Sequence, residues 1–154
     1  MAKRSAGLLL FREGRRGLEV LLVHPGGPLW ATKDDGAWSI PKGEFTDDED
    51  PLEAARREFH EETGFVAGDE AIPLAPVRLP SRKVVHAWAV QGDVDPSALR
   101  SNTFTMEWPP KSGRGREFPE VDRAAWFPLA EARTKITRGQ VSLLVELERV
   151  LAVR

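Results

Sequence analysis

The apolar positions fall into runs of two kinds. Ser5 to Phe11 and Leu18 to His24 are continuous apolar stretches of strand length. Glu13-Gly14-Arg15-Arg16-Gly17 between them supplies turn residues, so the pair predicts a hairpin. Pro25-Gly26-Gly27-Pro28 ends the second strand, and Trp30 to Gly36 reads as a loop. Trp38-Ser39-Ile40-Pro41 is a short extended piece, because Pro41 biases Ile40 away from helix. The period then changes. Asp50 can cap a helix, Pro51 suits its first position and Glu53 completes a capping-box pattern. Leu52, Ala54, Ala55 and Phe59 form an apolar stripe, and Gly64 is placed to stop the helix. The pattern predicts a helix from about Pro51 to Thr63. Ala71 to Leu79, Lys83 to Gln91 and Ser101 to Trp108 read as strands. Pro109 to Pro119, rich in Gly, Pro and basic residues, predicts a mobile loop. Ala124 to Phe127 reads as a short strand, and Leu129 to Ile136 and Gln140 to Val150 as helices, the last with Val141, Leu144, Leu147 and Leu151 at helical spacing. Strands, helix, strands, helices is the order of one α/β or α+β domain over residues 1–154.

Composition narrows the chemistry. With 154 residues, 41% hydrophobic and 30% charged, the chain can bury a core without staples, and it has no cysteine. That excludes a disulfide framework and thiolate metal or nucleophile chemistry. Lys plus Arg is 22 against 24 for Asp plus Glu, a net charge of −2 that gives no electrostatic case for nucleic-acid binding. The start of the chain has a short apolar run, Ala6 to Phe11, followed at once by Arg12, Glu13, Arg15 and Arg16. It is too short for a signal-peptide core and is read as a buried first strand. No stretch approaches the ~20 apolar residues of a membrane span, and a cytoplasmic location is expected.

Glu58, Glu61 and Glu62 lie at i, i+3 and i+4 and share one helix face. Like charges so placed repel by a few tenths of a kcal/mol per pair, near the helix end where the macrodipole disfavours anions. A solvated acidic face is one reading. A bound divalent cation is the other, since hard cations take carboxylate oxygens. The Asp-rich loop with a central Gly that serves calcium is absent.

The wider spacing is specific. Gly43, five residues, Glu49, seven residues, and then Arg57-Glu58-Phe59-His60-Glu61-Glu62-Thr63-Gly64-Phe65 resembles the Nudix box, with every defining position met. With ordinary residue usage near ~6% each, seven fixed matches arise by chance at ~10⁻⁹ per start point. The resemblance implies an α/β/α sandwich with a central mixed sheet, and a magnesium-dependent hydrolase (manganese being the other candidate ion) acting on a phosphoanhydride bond of a nucleoside diphosphate derivative. It implies Glu58 and Glu62 as the main metal ligands, Glu61 as a further ligand or the general base, the Gly43 carbonyl as another ligand, and Glu49 with Arg57 as a structural ion pair. Nudix domains that only bind nucleotides, having lost catalysis, are the rival class; they typically lose box glutamates, and none is lost here.

Outside the box the same resemblance singles out Glu120, with Glu117 as substitute, as a second candidate base on the loop before a late strand. Lys33, Lys42, Arg82 and Lys83 are candidate phosphate contacts. Trp30 and Trp108, beside Gly/Pro loops, are candidate base-stacking residues, whereas Trp88 and Trp126 sit in apolar strands and are expected in the core. His24, His60 and His86 lack metal-ligand spacing. Some ADP-ribose hydrolases of the family carry a proline where Pro80 stands. Many dinucleoside polyphosphate hydrolases use a tyrosine, and this chain has none. Dinucleoside polyphosphates, ADP-ribose and nucleoside triphosphates all remain as expected small-molecule partners, and oligomeric state is not legible.

Overall fold

Apolar runs without polar alternation need cover on both faces, and the fold supplies it. The computed structural model describes residues 3–153; Met1, Ala2 and Arg154 lie outside them. Elements are numbered in chain order. β1 (Arg4–Gly14) and β2 (Gly17–Pro25) form the expected hairpin, and their central residues are buried one after another. β1 pairs along its other edge, in parallel, with β6 (Val84–Gln91). β2 pairs antiparallel with β9 (Val121–Pro128). β4 (Ala71–Pro73) and β5 (Val77–Arg78) flank β6, completing a mixed seven-stranded sheet.

The hairpin register determines where the third strand enters. β1 meets β2 only between Phe11 and Gly14. Nearer its start, Ser5, Ala6 and Gly7 pair instead with β3 (Lys42–Glu44). Because β6 occupies the opposite edge of β1 from Arg4 to Phe11, β3 fills the edge that β2 has left. Ser39 bridges to Val23 on the β2 side, so residues 38–44 are laid into the gap where the two strands part.

α1 (Pro51–Thr63) covers one face of the sheet. Its ends match the expectation: the Glu53 N–H donates to the Asp50 carboxylate at 3.1 Å, and Gly64 caps the other end with φ 78°, a left-handed conformation that costs glycine nothing. Ala54, Ala55 and Phe59 pack on Ala6, Leu8, Leu10, Leu21, Val90 and Trp126. α2 (Leu129–Lys135) and α3 (Val141–Ala152) cover the other face, where Leu143, Leu144 and Leu147 meet Leu9, Phe11, Val20 and Leu22. The result is the expected α+β sandwich with a mixed sheet between helices. Trp126 is buried and Trp88 is half-buried against the α1-side core.

Four expectations are corrected. Ala71 to Leu79 is two short strands rather than one, since Pro73 and Pro76 cannot donate to a continuous ladder. The end of the presumed loop Pro109 to Pro119 is a strand, β8 (Gly115–Pro119), paired with β7 (Thr103–Glu107). Phe104 sits opposite Phe118 with ring centroids 6.0 Å apart, a cross-strand pair that offsets the poor strand propensity of Gly and Pro. The late strand extends well beyond Ala124 to Phe127, because β2 offers a full-length partner edge. In α3 the buried stripe is Leu143, Leu144, Leu147 and Val150; Val141 and Leu151 are its half-buried margin.

Phe59 is 1% exposed and is the largest apolar side chain that α1 places in its core. Phe59→Ala is expected to lower the unfolding free energy by about 3–5 kcal/mol, read as a fall in the urea midpoint with unchanged slope.

Candidate active site

The box residues come together because β3 and α1 are joined by a short loop and both lie beside β1. Gly43 pairs with Ala6 while Glu58 reaches back across it. A Cβ at Gly43 would lie 2.1 Å from the Glu58 carboxyl carbon, so only glycine admits that carboxylate against the β3 backbone.

Arg57 holds the acids in place. Its Nε and Nη2 donate to the two oxygens of Glu49, each at 3.0 Å, the fork-to-fork geometry that ties the loop to the helix. Its Nη1 donates to Glu58 at 2.9 Å and to Glu61 at 3.3 Å. The Glu49 hydrogen bonds hold the guanidinium well above its ordinary pKa. Burial raises the Glu58 carboxyl, with Arg57 opposing. Glu62 is perturbed furthest. Burial, then the charge of Glu58, pushes it up to about 8, although the Lys42 backbone N–H and ammonium favour its ionised form; Glu120 adds to the upward push. Lys42 in turn is lowered by burial and by Lys83.

A cleft of about 350 Å³ opens beside these groups, between the end of β2 and the segment 36–42. It brings together Glu62, Glu120, Lys42 and Trp30, with Ile40 and Leu79 among its apolar walls. Trp30 is 43% exposed at this cleft. Lys33, Arg82, Lys83 and Trp108 are not among the lining residues. Lys33 is exposed, Arg82 sits in an exposed turn at φ 72°, and Lys83 pairs with Glu44 at 3.2 Å. Glu117 accepts from Thr103 Oγ1 on the hairpin. A wider depression of about 610 Å³ lies elsewhere, lined by Arg123, Glu131 and Lys135 among others, and holds none of the box carboxylates.

Glu120 is exposed, yet its backbone is fixed. The Asn102 N–H donates to the Glu61 carbonyl, and the Arg100 N–H to that of Thr63, each at 2.8 Å, satisfying two carbonyls that the end of α1 leaves open. The Glu120 N–H donates to the Asn102 carbonyl, and the Gly26 N–H to that of Glu120, both at 2.9 Å. One chain of backbone bonds thus runs from the carboxylate helix to the candidate base and on to the end of β2.

Among the described residues no three acidic or imidazole side chains converge on a point that a metal ion could occupy as they stand. Glu58 and Glu61 are turned onto Arg57, and Glu62 onto the Lys42 N–H. The donor set still fits a hard divalent cation: it is all carboxylate oxygen, and Glu58 and Glu120 lie close enough to Glu62 to disfavour its ionisation.

Gln140 at the cleft and His24 beside it carried little sequence signal. Gln140, 1% exposed, accepts from the Ile40 N–H at 3.1 Å and donates to Ser39 Oγ at 3.0 Å, fastening the start of α3 to the cleft floor. His24 is fully buried at the end of β2. The one available hint was a polar residue closing an apolar strand just before a Pro-Gly-Gly turn.

The family model for the NUDIX domain matches residues 1–147. An RNA pyrophosphohydrolase of Pseudomonas paraeruginosa is 38% identical over 46% of this chain and 48% of its own. An 8-oxo-(d)GTP phosphatase of Mycolicibacterium smegmatis is 30% identical over 98% of this chain and 45% of its own. The chain therefore spans about half the length of these curated relatives. The C. elegans Ap4A hydrolase shares the fold, with a TM-score of 0.68 and 22% identity over 97% of this chain and 99% of that one. No described helix is long and apolar enough to cross a membrane.

In protein freed of divalent ions, the raised Glu62 pKa sets a pH dependence. Between about 4.5 and 8 the folded state holds a proton that the unfolded state has released, so stability is fullest below that window and falls as pH rises through it. Urea midpoints of the wild type should drop across this range by the equivalent of a few kcal/mol at most, and Glu62→Gln should flatten the slope. Equal slopes in the two proteins would contradict the burial of that carboxylate.

Proposed function

The chain belongs to the Nudix family, and on that premise we propose that it is a magnesium-dependent nucleotide pyrophosphohydrolase working in the cleft between the end of β2 and the segment 36–42. The observation that carries this reading is the convergence of Glu62, Glu120 and Lys42 on one cleft with Trp30, beside Glu58 seated against Gly43.

Glu58, Glu62 and the Gly43 carbonyl would hold the metal, with Glu61 as a further ligand, once a cation competes with Arg57 for their oxygens. Bound there, magnesium supplies charge neutralisation for the diphosphate and acidifies a water. The chain does the rest. Lys42, half-buried among carboxylates, places a positive charge where a phosphate would lie. Glu61 or Glu120 takes the proton of the water that attacks phosphorus. Glu120 is held in register with the helix by its bond to Asn102, so the two candidates keep a constant separation. Trp30 offers an aromatic face to a nucleobase. Two phosphorylated fragments leave.

The chemistry of the cleft suits a single nucleoside with its phosphates directed at the carboxylates. We propose dinucleoside polyphosphates, ADP-ribose or nucleoside triphosphates as the substrate class; the names of the 8-oxo-(d)GTP phosphatase and the Ap4A hydrolase fall within it, and that of the RNA pyrophosphohydrolase does not.

Diadenosine tetraphosphate, ADP-ribose and 8-oxo-dGTP, each supplied with magnesium, form the deciding panel. Glu62→Gln and Glu61→Gln are expected to lower turnover of the preferred compound by about 10²-fold or more. Unchanged turnover in both variants would refute the assignment. Glu120→Gln separates the two candidate bases: a comparable loss there with metal affinity intact identifies Glu120, and full activity assigns the role to Glu61.

A further inference from the structure

His24 is the one fully buried imidazole among the described residues, and it has polar partners on both sides. Its Nε2 lies 2.6 Å from the Lys33 carbonyl and its Nδ1 lies 2.9 Å from an Asp122 carboxylate oxygen. A carbonyl only accepts, so Nε2 donates. On the other side Nδ1 lies within hydrogen-bond distance of the Asp122 carboxylate, so both ring nitrogens are partnered. Its edge rests on Trp38 with centroids 5.2 Å apart, and the Arg123 guanidinium sits 5.3 Å over the same indole while its Nε lies 3.6 Å from Asp122.

The strand register explains how Asp122 reaches the ring. Along β2 and β9 the pairs run to His24 with Arg123, and the next pair is Pro25 with Val121. Asp122 is the extra residue of a bulge. A bulge re-aims side chains that regular alternation would send to the opposite face, and here it brings Asp122 back beside Arg123 on the His24 side.

What His24 joins is specific. Lys33 belongs to the exposed segment 29–36, which carries Trp30 to the cleft, and the Lys33 N–H donates to the Trp30 carbonyl at 2.9 Å. Asp122 lies two residues beyond Glu120, on the strand that begins at the cleft wall. We infer that His24 is a positioning residue: it ties the Trp30 loop to the strand just beyond Glu120 and so fixes the distance between the stacking wall and the catalytic wall of the cleft. Its expected consequence is on nucleotide affinity rather than on the chemical step. The kinetic half of this inference rests on the cleft being the nucleotide site proposed above; the structural half does not.

Two near-isosteric variants separate the ties. The amide of His24→Gln reaches the position of Nε2 and keeps a donor for Lys33. That of His24→Asn matches Nδ1, keeps a donor for Asp122 and releases the loop. In the full chain without metal or nucleotide, hydrogen exchange of segment 29–36 should accelerate in His24→Asn and stay near wild type in His24→Gln. With diadenosine tetraphosphate, ADP-ribose and 8-oxo-dGTP plus magnesium as probes, KM for the compound turned over best should rise about tenfold in His24→Asn, the worth of one buried hydrogen bond. Its kcat should stay within about threefold, and His24→Gln should restore KM. Combined with Trp30→Ala, the KM effects should be less than multiplicative, since both act on one wall. If His24→Asn does not fold, His24→Leu, apolar and of similar size with a donor for neither partner, should give the same acceleration and KM rise. Unchanged exchange of segment 29–36 in whichever of these two folds overturns the tie. Multiplicative KM effects overturn its action through Trp30. If the wild type turns over none of the probes, the proposed function fails, and the exchange measurement still decides the tie.

Discussion

Three carboxylates on little more than one helical turn repel one another, and the functional part of this fold is arranged around holding them together. The sheet supplies the force. Ala54, Ala55 and Phe59 bury one face of α1 so firmly that the opposite side of the turn has nowhere else to point. Arg57 then meets Glu49, Glu58 and Glu61 at once, one planar cation against three acids. Glu62 is left on the cleft side without a guanidinium, and burial with neighbouring negative charge raises it furthest. The like-charge penalty is therefore not spread evenly. It is neutralised where the loop must be held and concentrated where a cation is wanted.

The second constraint is where the hairpin opens. β1 and β2 separate after a few pairs, and the segment 38–44 enters between them. That insertion needs backbone at close quarters, and Gly43 is the position where a side chain would strike Glu58. Gln140 fastens the segment from the α3 side through the Ile40 N–H. The cleft is thus bounded by elements from widely separated parts of the chain, each locked by its own hydrogen bonds.

The parts that could be read from sequence are those with local causes. The ends of α1 are set by Asp50, Pro51 and Gly64, whose effects act within a few residues. The first hairpin is set by two apolar runs and a Gly-bounded turn. The box glutamates and Arg57 declare themselves by spacing along one helix. The parts that could not be read have partners far away. β8 is a Gly- and Pro-bounded charged stretch that becomes a strand only because Phe104 waits opposite Phe118. The break between β4 and β5 is visible in Pro73 and Pro76 but masked by the apolar run around them. His24 meets Asp122 across 98 positions, through a bulge that no period foretells. Trp108 and Lys83 share their residue types with Trp30 and Lys42; only the path of the chain distinguishes those at the cleft from those away from it.

The backbone bonds around Asn102 and Glu120 have a further consequence for how this protein can change. The two residues are hydrogen-bonded to each other, and everything from Thr103 to Pro119 is an excursion that leaves and returns at that junction. The ends of the excursion are already closed, so altering its length adds little entropy cost to the closure. The tip can therefore grow, shrink or be replaced over evolutionary time while the catalytic wall keeps its place. The fold separates a part held in place by backbone bonds to the carboxylate helix from a neighbouring part that is free to diversify.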